Sequence, residues 1–314
     1  MNPDSLNGVK TPKILFFSNI VILSIFLMPI FYLVYRFLNF STSYTSFFNS
    51  WNVLDLVGNT FLLFVFVVLS SLTVGISISI ITVRFNISYP KLFFTLSVLP
   101  LVIPSYIGAL TYISAFSSKG LYVQLFSNLG VTEISGIDGF FGSWLVLTLF
   151  TYPYVLLICS TALRNLDSSV EDAARSLGKN KFQIYTQVVV PRLKKPIIFS
   201  GLLVGLYVMS DFGAVSLMRY PTLTKAIYSY YELKIDGDPV IFYSSLLIVM
   251  ALFISFIQRG TDLSKSSKVS GTPKISERSN LGAKSKFFVY LFLVFIIIMS
   301  LILLISVLSY WLIR

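Results

Sequence analysis

The sequence predicts an all-α integral membrane protein, and three observations carry that prediction. Of its 314 residues 55% are hydrophobic and only 12% charged, about half the ~25% charged share of a soluble domain. The mean hydropathy is +0.82. Seven apolar runs, roughly 14–38, 56–83, 92–116, 140–163, 197–218, 240–257 and 287–313, are each long enough at about 1.5 Å per residue to cross a hydrocarbon layer of ~30 Å.

The first run is about 25 residues long, lacks a small-residue cleavage site and ends at Tyr35, Arg36 and Phe37, so it reads as a retained anchor and not as a signal peptide. With the N-terminus inside, the inner segments hold 18 Lys and Arg and the outer ones six. That asymmetry sets a multi-pass orientation with a cytoplasmic N-terminus, and it accounts for the net charge of +11 with no role for nucleic acid.

The third run contains Pro100 and Pro104, each of which removes a backbone hydrogen bond and frees an i−4 carbonyl, so this span is expected to kink or break. Ser105 and Tyr106 beside the break are candidates for lining a translocation path, with packing alone as the alternative reason for the kink. Pro153 raises the same question in the fourth run. The fifth carries Asp211 about two-thirds of the way across, where a lipid-facing carboxylate costs roughly 2.5–3.5 kcal/mol. It must face protein or water, either as a path group or as an acceptor bonded to a neighbouring helix or to backbone near Gly213. Gly201 and Gly205 form a GxxxG that permits close helix contact. The outer segments 117–139 and 219–239 are candidate landing surfaces for a protein outside, although loop helices packed on the rim would look the same in sequence.

Two inner segments differ in kind. Residues 258–286 hold seven Ser, seven Lys or Arg and little apolar surface, the composition of a flexible linker. They divide a six-helix unit, 1–257, from a seventh helix at 287–314. Residues 164–196 are polar yet helical in period. Ser168 and Glu171 form a capping box; Val170, Ala173, Ala174 and Leu177 share one face, Glu171, Asp172, Arg175 and Lys179 take the other, and Gly178 suits a left-handed stop. A second helix starts with the Asn180 and Gln183 caps, presents Phe182, Tyr185, Val188 and Val189 as its apolar face, and ends at Pro191.

Much chemistry is excluded. The single cysteine, Cys159, allows no intrachain disulfide, and the absence of histidine removes His metal sites and His general bases. No clustering of Asp, Glu, Cys and His has metal-ligand spacing in a membrane path, so neither a catalytic nor a metal site is assigned. No GxxxxGK[ST] is present, so the chain supplies no phosphate cradle for ATP.

The run E-D-A-A-R-S-L-G over 171–178, followed after twelve intervening residues by Pro191, with Pro196 beyond, resembles the EAA loop of binding-protein-dependent ABC transporter permeases. Asp172 departs from the Ala usual at its position. The resemblance implies a six-helix importer permease core in a bacterial plasma membrane, with the loop as the helix that seats in a partner ATPase. Glu171, Asp172, Ala173, Ala174, Gly178 and Pro191 then become the ATPase-coupling residues, and Pro100, Pro104, Ser105, Tyr106 and Asp211 the candidate path. It also implies that ATP and Mg are bound by that partner and no cofactor by this chain, that a solute-binding protein outside delivers substrate, and that a second permease half completes the path in the lipid bilayer.

LPLVIPSYIGAL at 99–110, YPYVLL at 152–157, ALRNLD at 162–167 and SDFGAVSLM at 210–218 look together like the ferric-iron importers, ahead of relatives for thiamine, polyamine, sulfate or molybdate. In that subgroup both halves are usually fused, and the seventh run resembles the first span of a second half; the resemblance implies a truncated or split polypeptide in preference to a half that homodimerises. An ATP-independent secondary transporter is the alternative from another class, but it would be expected to carry several intramembrane ionisable groups where this chain has essentially Asp211. A membrane enzyme would need reactive groups near the boundary, and its commonest one, His, is missing.

Overall fold

The long apolar runs fold as helices, two of them broken, in the computed structural model, which describes residues 13–39, 53–117, 120–122, 136–166, 169–233, 237–259 and 278–313. In chain order these are α1 (Lys13–Leu38), α2 (Val53–Arg84), α3 (Pro90–Val98, tightened into a 3-10 turn over Leu99–Val102), α4 (Ser105–Phe116) and α5 (Gly139–Arg164). There follow α6 (Ser169–Ser176), α7 (Lys181–Ile184, continued by a π turn over Tyr185–Val189 and by Val190–Arg192), α8 (Lys194–Ser210), α9 (Gly213–Leu217), α10 (Leu223–Glu232), α11 (Gly237–Arg259), α12 (Ala283–Ile297, leading into a π turn over Ile298–Ile302) and α13 (Leu303–Ile313). Five of the described helical segments are long and apolar enough to cross a membrane, and two bent pairs bring the number to seven.

The centre of the bundle is α2 against α5 and α8, and small residues set how close these come. A Cβ on Gly75 would stand 2.6 Å from Val155 Cβ, and one on Gly205 would stand 2.1 Å from the Phe64 ring. The GxxxG of the fifth span is thus filled by α2, with Leu72 beside Gly201. Hydroxyls pair across the α2–α5 seam, as polar side chains do between membrane helices: Ser70 meets Thr148 at 2.8 Å, Ser71 meets Thr151 at 2.9 Å, and Ser79 donates to the Leu156 carbonyl at 3.1 Å. Gly205→Val is expected to force α8 off α2, a change of the overpacking kind that costs about 1–3 kcal/mol. Reduced recovery of monodisperse protein on size exclusion checks it; recovery equal to wild type would show that Phe64 swings clear.

The third span breaks as its prolines require. Ile103, restricted by the following Pro104, is extended at φ −94° and ψ 124°, and α3 with its 3-10 turn meets α4 at 98°. By contrast, Pro153 lies inside an uninterrupted α5. The fifth span departs from expectation. It does not run unbroken from 197 to 218, because α8 stops at Ser210, Asp211 turns extended at φ −69° and ψ 124°, and a separate short α9 follows. Nor does Pro191 end the second loop helix. A π turn just before it widens the coil, which accommodates the missing N–H and the bulk of the ring, and the chain bends by 59° at Leu193 into α8.

The segment 219–239 contains α10, capped by Thr222, whose hydroxyl accepts from Lys225 N–H at 3.4 Å. It packs on α11. Most of 118–135 and of the Ser-rich linker, 260–277, lies outside the described residues. The linker's last part is docked: Asn86 N–H donates to the Ser279 carbonyl at 3.0 Å and Ser279 N–H to that of Arg84 at 2.9 Å. The seventh helix, which starts at Ala283 and not at 287, has companions within the chain. Leu293 and Ile296 pack with Tyr152 and Leu156, Leu303, Leu304 and Val307 join the main core, and Tyr112 Oη donates to the Met299 carbonyl at 2.6 Å. In α1, which packs chiefly on α11, apolar residues lie exposed along its length.

Candidate functional site

Two places gather the residues that the sequence singles out. The first is the loop α6–α7. Helix α6 ends as Gly178 predicts, at φ +78°, with Gly178 N–H donating to the Arg175 carbonyl at 2.9 Å and Lys179 N–H to that of Ala174 at 3.2 Å, the paired bonds of a Schellman stop. The α7 cap is reciprocal: Gln183 N–H donates to Asn180 Oδ1 at 2.9 Å and Asn180 N–H to Gln183 Oε1 at 3.0 Å. Ser168 of the first capping box lies outside the described residues.

The faces of α6 are not those the pattern assigns. Glu171, expected on the polar face, is buried, and its carboxylate meets the Arg84 guanidinium at 2.8 Å with the two side chains 6% and 4% exposed. Arg84 also donates to the Leu163 carbonyl at 3.2 Å. Ala174 is buried with Leu163, Ile184, Val189 and Leu193. Ala173 and Leu177, expected on the same apolar face as Ala174, point outward while Ala174 points in, Leu177 with 80% of its surface exposed. A buried cation draws Glu171 inward, and that rotation turns Leu177 out. Asp172 makes an exposed pair with Arg175, at 3.5 Å. Pro191 is exposed on the last turn of α7.

The role of Arg84 is missed by sequence reasoning, which counts it only as an inner charge. The signal was its place at the end of a long apolar helix, but its partner stands 87 positions further on, and no local spacing links them. The loop is therefore held rigidly to the ends of α2 and α5 on one side and presents Leu177, Ala173 and an open glycine turn on the other.

The second place is where the two broken spans meet. Ser105, the first residue of α4, donates to the Asp211 carboxylate, whose other oxygen accepts from Ala214 N–H at 2.9 Å; the Asp211 carbonyl accepts from Thr224 Oγ1 at 2.9 Å. Backbone freed by a break within a span has to be satisfied locally, and Asp211 does this for α9 while tying it to α4. Tyr106 packs its Cβ so close to Gly213 that a Cβ there would stand 2.7 Å away, yet it keeps 48% of its surface exposed. Pro100 is buried in the 3-10 turn and Pro104 precedes α4. The structure thus brings together Pro104, Ser105, Tyr106, Asp211 and Gly213 from segments over a hundred residues apart. No group of three His, Cys, Asp or Glu stands close enough to hold a metal among the described residues.

Residues 71–264, which contain both places, match the model of the binding-protein-dependent transport system inner membrane component. The chain belongs to this family. Among relatives, the Fe(3+)-transport system permease protein FbpB 2 of Haemophilus influenzae is 30% identical over 203 residues, 64% of this chain and 36% of that protein. The chloroplastic sulfate permease 2 of Chlamydomonas reinhardtii is 30% identical over 152 residues, 46% of this chain and 40% of that protein. The matched region thus spans little more than a third of the length of these relatives. The fold is shared with a bacterial alginate ABC transporter whose crystal structure includes a pentasaccharide-bound periplasmic protein, at a TM-score of 0.61 and 15% identity over 81% of this chain and 95% of that one. Membership makes the chain a multi-pass component of a membrane transport system, and its fold is that of ABC transporter permeases.

Proposed function

We propose that the chain is a permease part of an ABC importer that carries ferric iron into a bacterial cell, with its N-terminus and the α6–α7 loop in the cytoplasm. ATP and Mg belong to a separate ATPase that seats on the loop, a solute-binding protein outside delivers the cargo, and a second permease half closes the path. The observation that carries this reading is the loop itself. It is clamped to the membrane helices through Arg84 and Glu171 and offers an apolar outer face at Leu177, so a force applied to its exposed side is passed to α2 and α5 and not absorbed by local motion. Its inner side also adjoins the 59° bend into α8. This helix carries the break at Asp211, which gives closure of an ATPase a rigid route toward the second place.

The iron reading is supported by the four short segments named above and by the Haemophilus relative. Sulfate is the second reading, favoured by an equal 30% identity to the chloroplast sulfate permease. Co-purification of the tagged chain with its neighbours, identified by mass spectrometry, tests the assembly; capture of an ATPase subunit is the expected result, and none captured in a gentle detergent counts against it. Uptake of radiolabelled iron(III) and of sulfate in cells lacking or expressing the chain separates the two cargoes.

Asp211→Asn is expected to insert and assemble as wild type does, because the amide keeps the shape and can still accept from Ala214. Asp211→Ala leaves the Ser105 hydroxyl and the Ala214 N–H without their partner, at about 1–3 kcal/mol for each unsatisfied group. Uptake by the Asn variant is the measurement: loss with intact assembly makes the carboxylate a path group, while full uptake makes it a structural bracket.

A further inference from the structure

We propose that a basic cleft beside the coupling loop binds a phosphate-type anion, with the headgroup of an anionic phospholipid as its natural source. The cleft has a volume of about 590 Å³ and is lined by Thr82 and Arg84 at the end of α2, Lys91 and Phe94 of α3, Arg164 at the end of α5, and Arg278. Among the described residues, four cations and no carboxylate line it. Arg84 is occupied by Glu171, but Lys91, Arg164 and Arg278 have no carboxylate within 4 Å among the described residues. Cations that converge on one cleft, three of them with no ion-pair partner among the described residues, suit an anion from outside.

Two features make this a built site rather than a scatter of surface charge. Arg164 lies over the Phe94 ring at 5.1 Å from its centre, which fixes the plane of the guanidinium fork. Arg278 reaches the cleft because Ser279 is paired by backbone hydrogen bonds to Arg84 and Asn86, and Asn280 accepts from the Asn86 side chain at 3.0 Å. The cleft sits beside the coupling loop, where α2 and α5 end and α3 begins; on the membrane reading of the chain, the ends of spanning helices lie at headgroup depth. Basic pockets between membrane helices at that depth take phosphate headgroups. The consequence is regulatory: Arg84 lines the cleft while holding Glu171, so a bound anion and the coupling loop share one cation.

The test is native mass spectrometry of the full chain, with any bound subunits, released from nanodiscs of phosphatidylcholine or of phosphatidylcholine mixed with phosphatidylglycerol. A parallel titration uses inorganic phosphate on the detergent-solubilised chain. Retention of phosphatidylglycerol over phosphatidylcholine is expected, reduced about tenfold or more in Lys91→Gln/Arg164→Gln, with folding of the variant checked by size exclusion. Phosphate binding with no lipid preference, lost in the same variant, also supports the anion site and assigns it to a soluble anion. No preference and no phosphate binding, or either signal unchanged in the folded variant, overturns it. The proposal rests on the membrane reading of the chain and not on its cargo or ATPase, and neither is needed for the readout.

Discussion

Glu171→Ala is expected to lower the stability of the loop and of the helix ends beneath it by about 3–5 kcal/mol, since it strands the Arg84 guanidinium in a site where its side chain is only 4% exposed. The lost pair is also the tie between α6 and α2. Capture of the ATPase and cargo uptake should therefore both fall, and they should fall together with the melting temperature of the solubilised chain. Stability and coupling can be separated by removing both charges. Arg84→Met/Glu171→Met leaves no unpaired ion and is expected to recover most of the lost stability, because apolar replacement of a buried pair is often neutral or better. If the single variant melts with the wild type, the pair is not what holds the loop. If the double variant is stable and still takes up cargo at full rate, the charge pair is a folding device and coupling runs through packing alone.

Gly178→Val is expected to leave the membrane domain folded and to abolish or sharply reduce transport. Beyond its chain neighbours, no atom of the described residues lies within 4 Å of the position a Cβ would take, so the substitution is not opposed by contact. It is opposed by conformation: the backbone stands at φ +78°, where an ordinary L-residue costs about 1–2 kcal/mol and a β-branched one more. Relief of that strain turns the exposed end of α6, with Leu177, away from its present aim. Gly178→Asn, which tolerates this region better, should retain most of the uptake. Measurements of uptake, of ATPase capture and of unfolding on the three proteins decide the matter; a Val variant that transports as well as wild type would remove the turn from the coupling mechanism.

What the sequence by itself determined was whatever depends on residues near one another along the chain. Seven spans follow from runs of apolar side chains, the break at Ile103 from Pro100 and Pro104, the stop at Gly178 from its missing Cβ, and the α7 cap from Asn180 and Gln183 at a spacing of three. Each is a local steric or hydrogen-bonding demand that a reader can apply without knowing what lies opposite. Tertiary structure decided the rest. Helical periodicity places Glu171 with Asp172 on a polar face, but a buried carboxylate is favoured over an exposed one once Arg84 is brought beneath it, and the same rotation exposes Leu177. The pattern continues the fifth span through Asp211, but the polar group is tolerated there because the helix stops and uses it to cap α9 and to meet Ser105 from another broken span. Composition makes the linker an unpaired tether, yet Ser279 finds backbone partners at Arg84 and Asn86. In all three cases the deciding partner lies tens to hundreds of positions away. The free energy of pairing a buried polar group outweighs the amphipathic pattern of a short helix, and only the fold says which groups will meet.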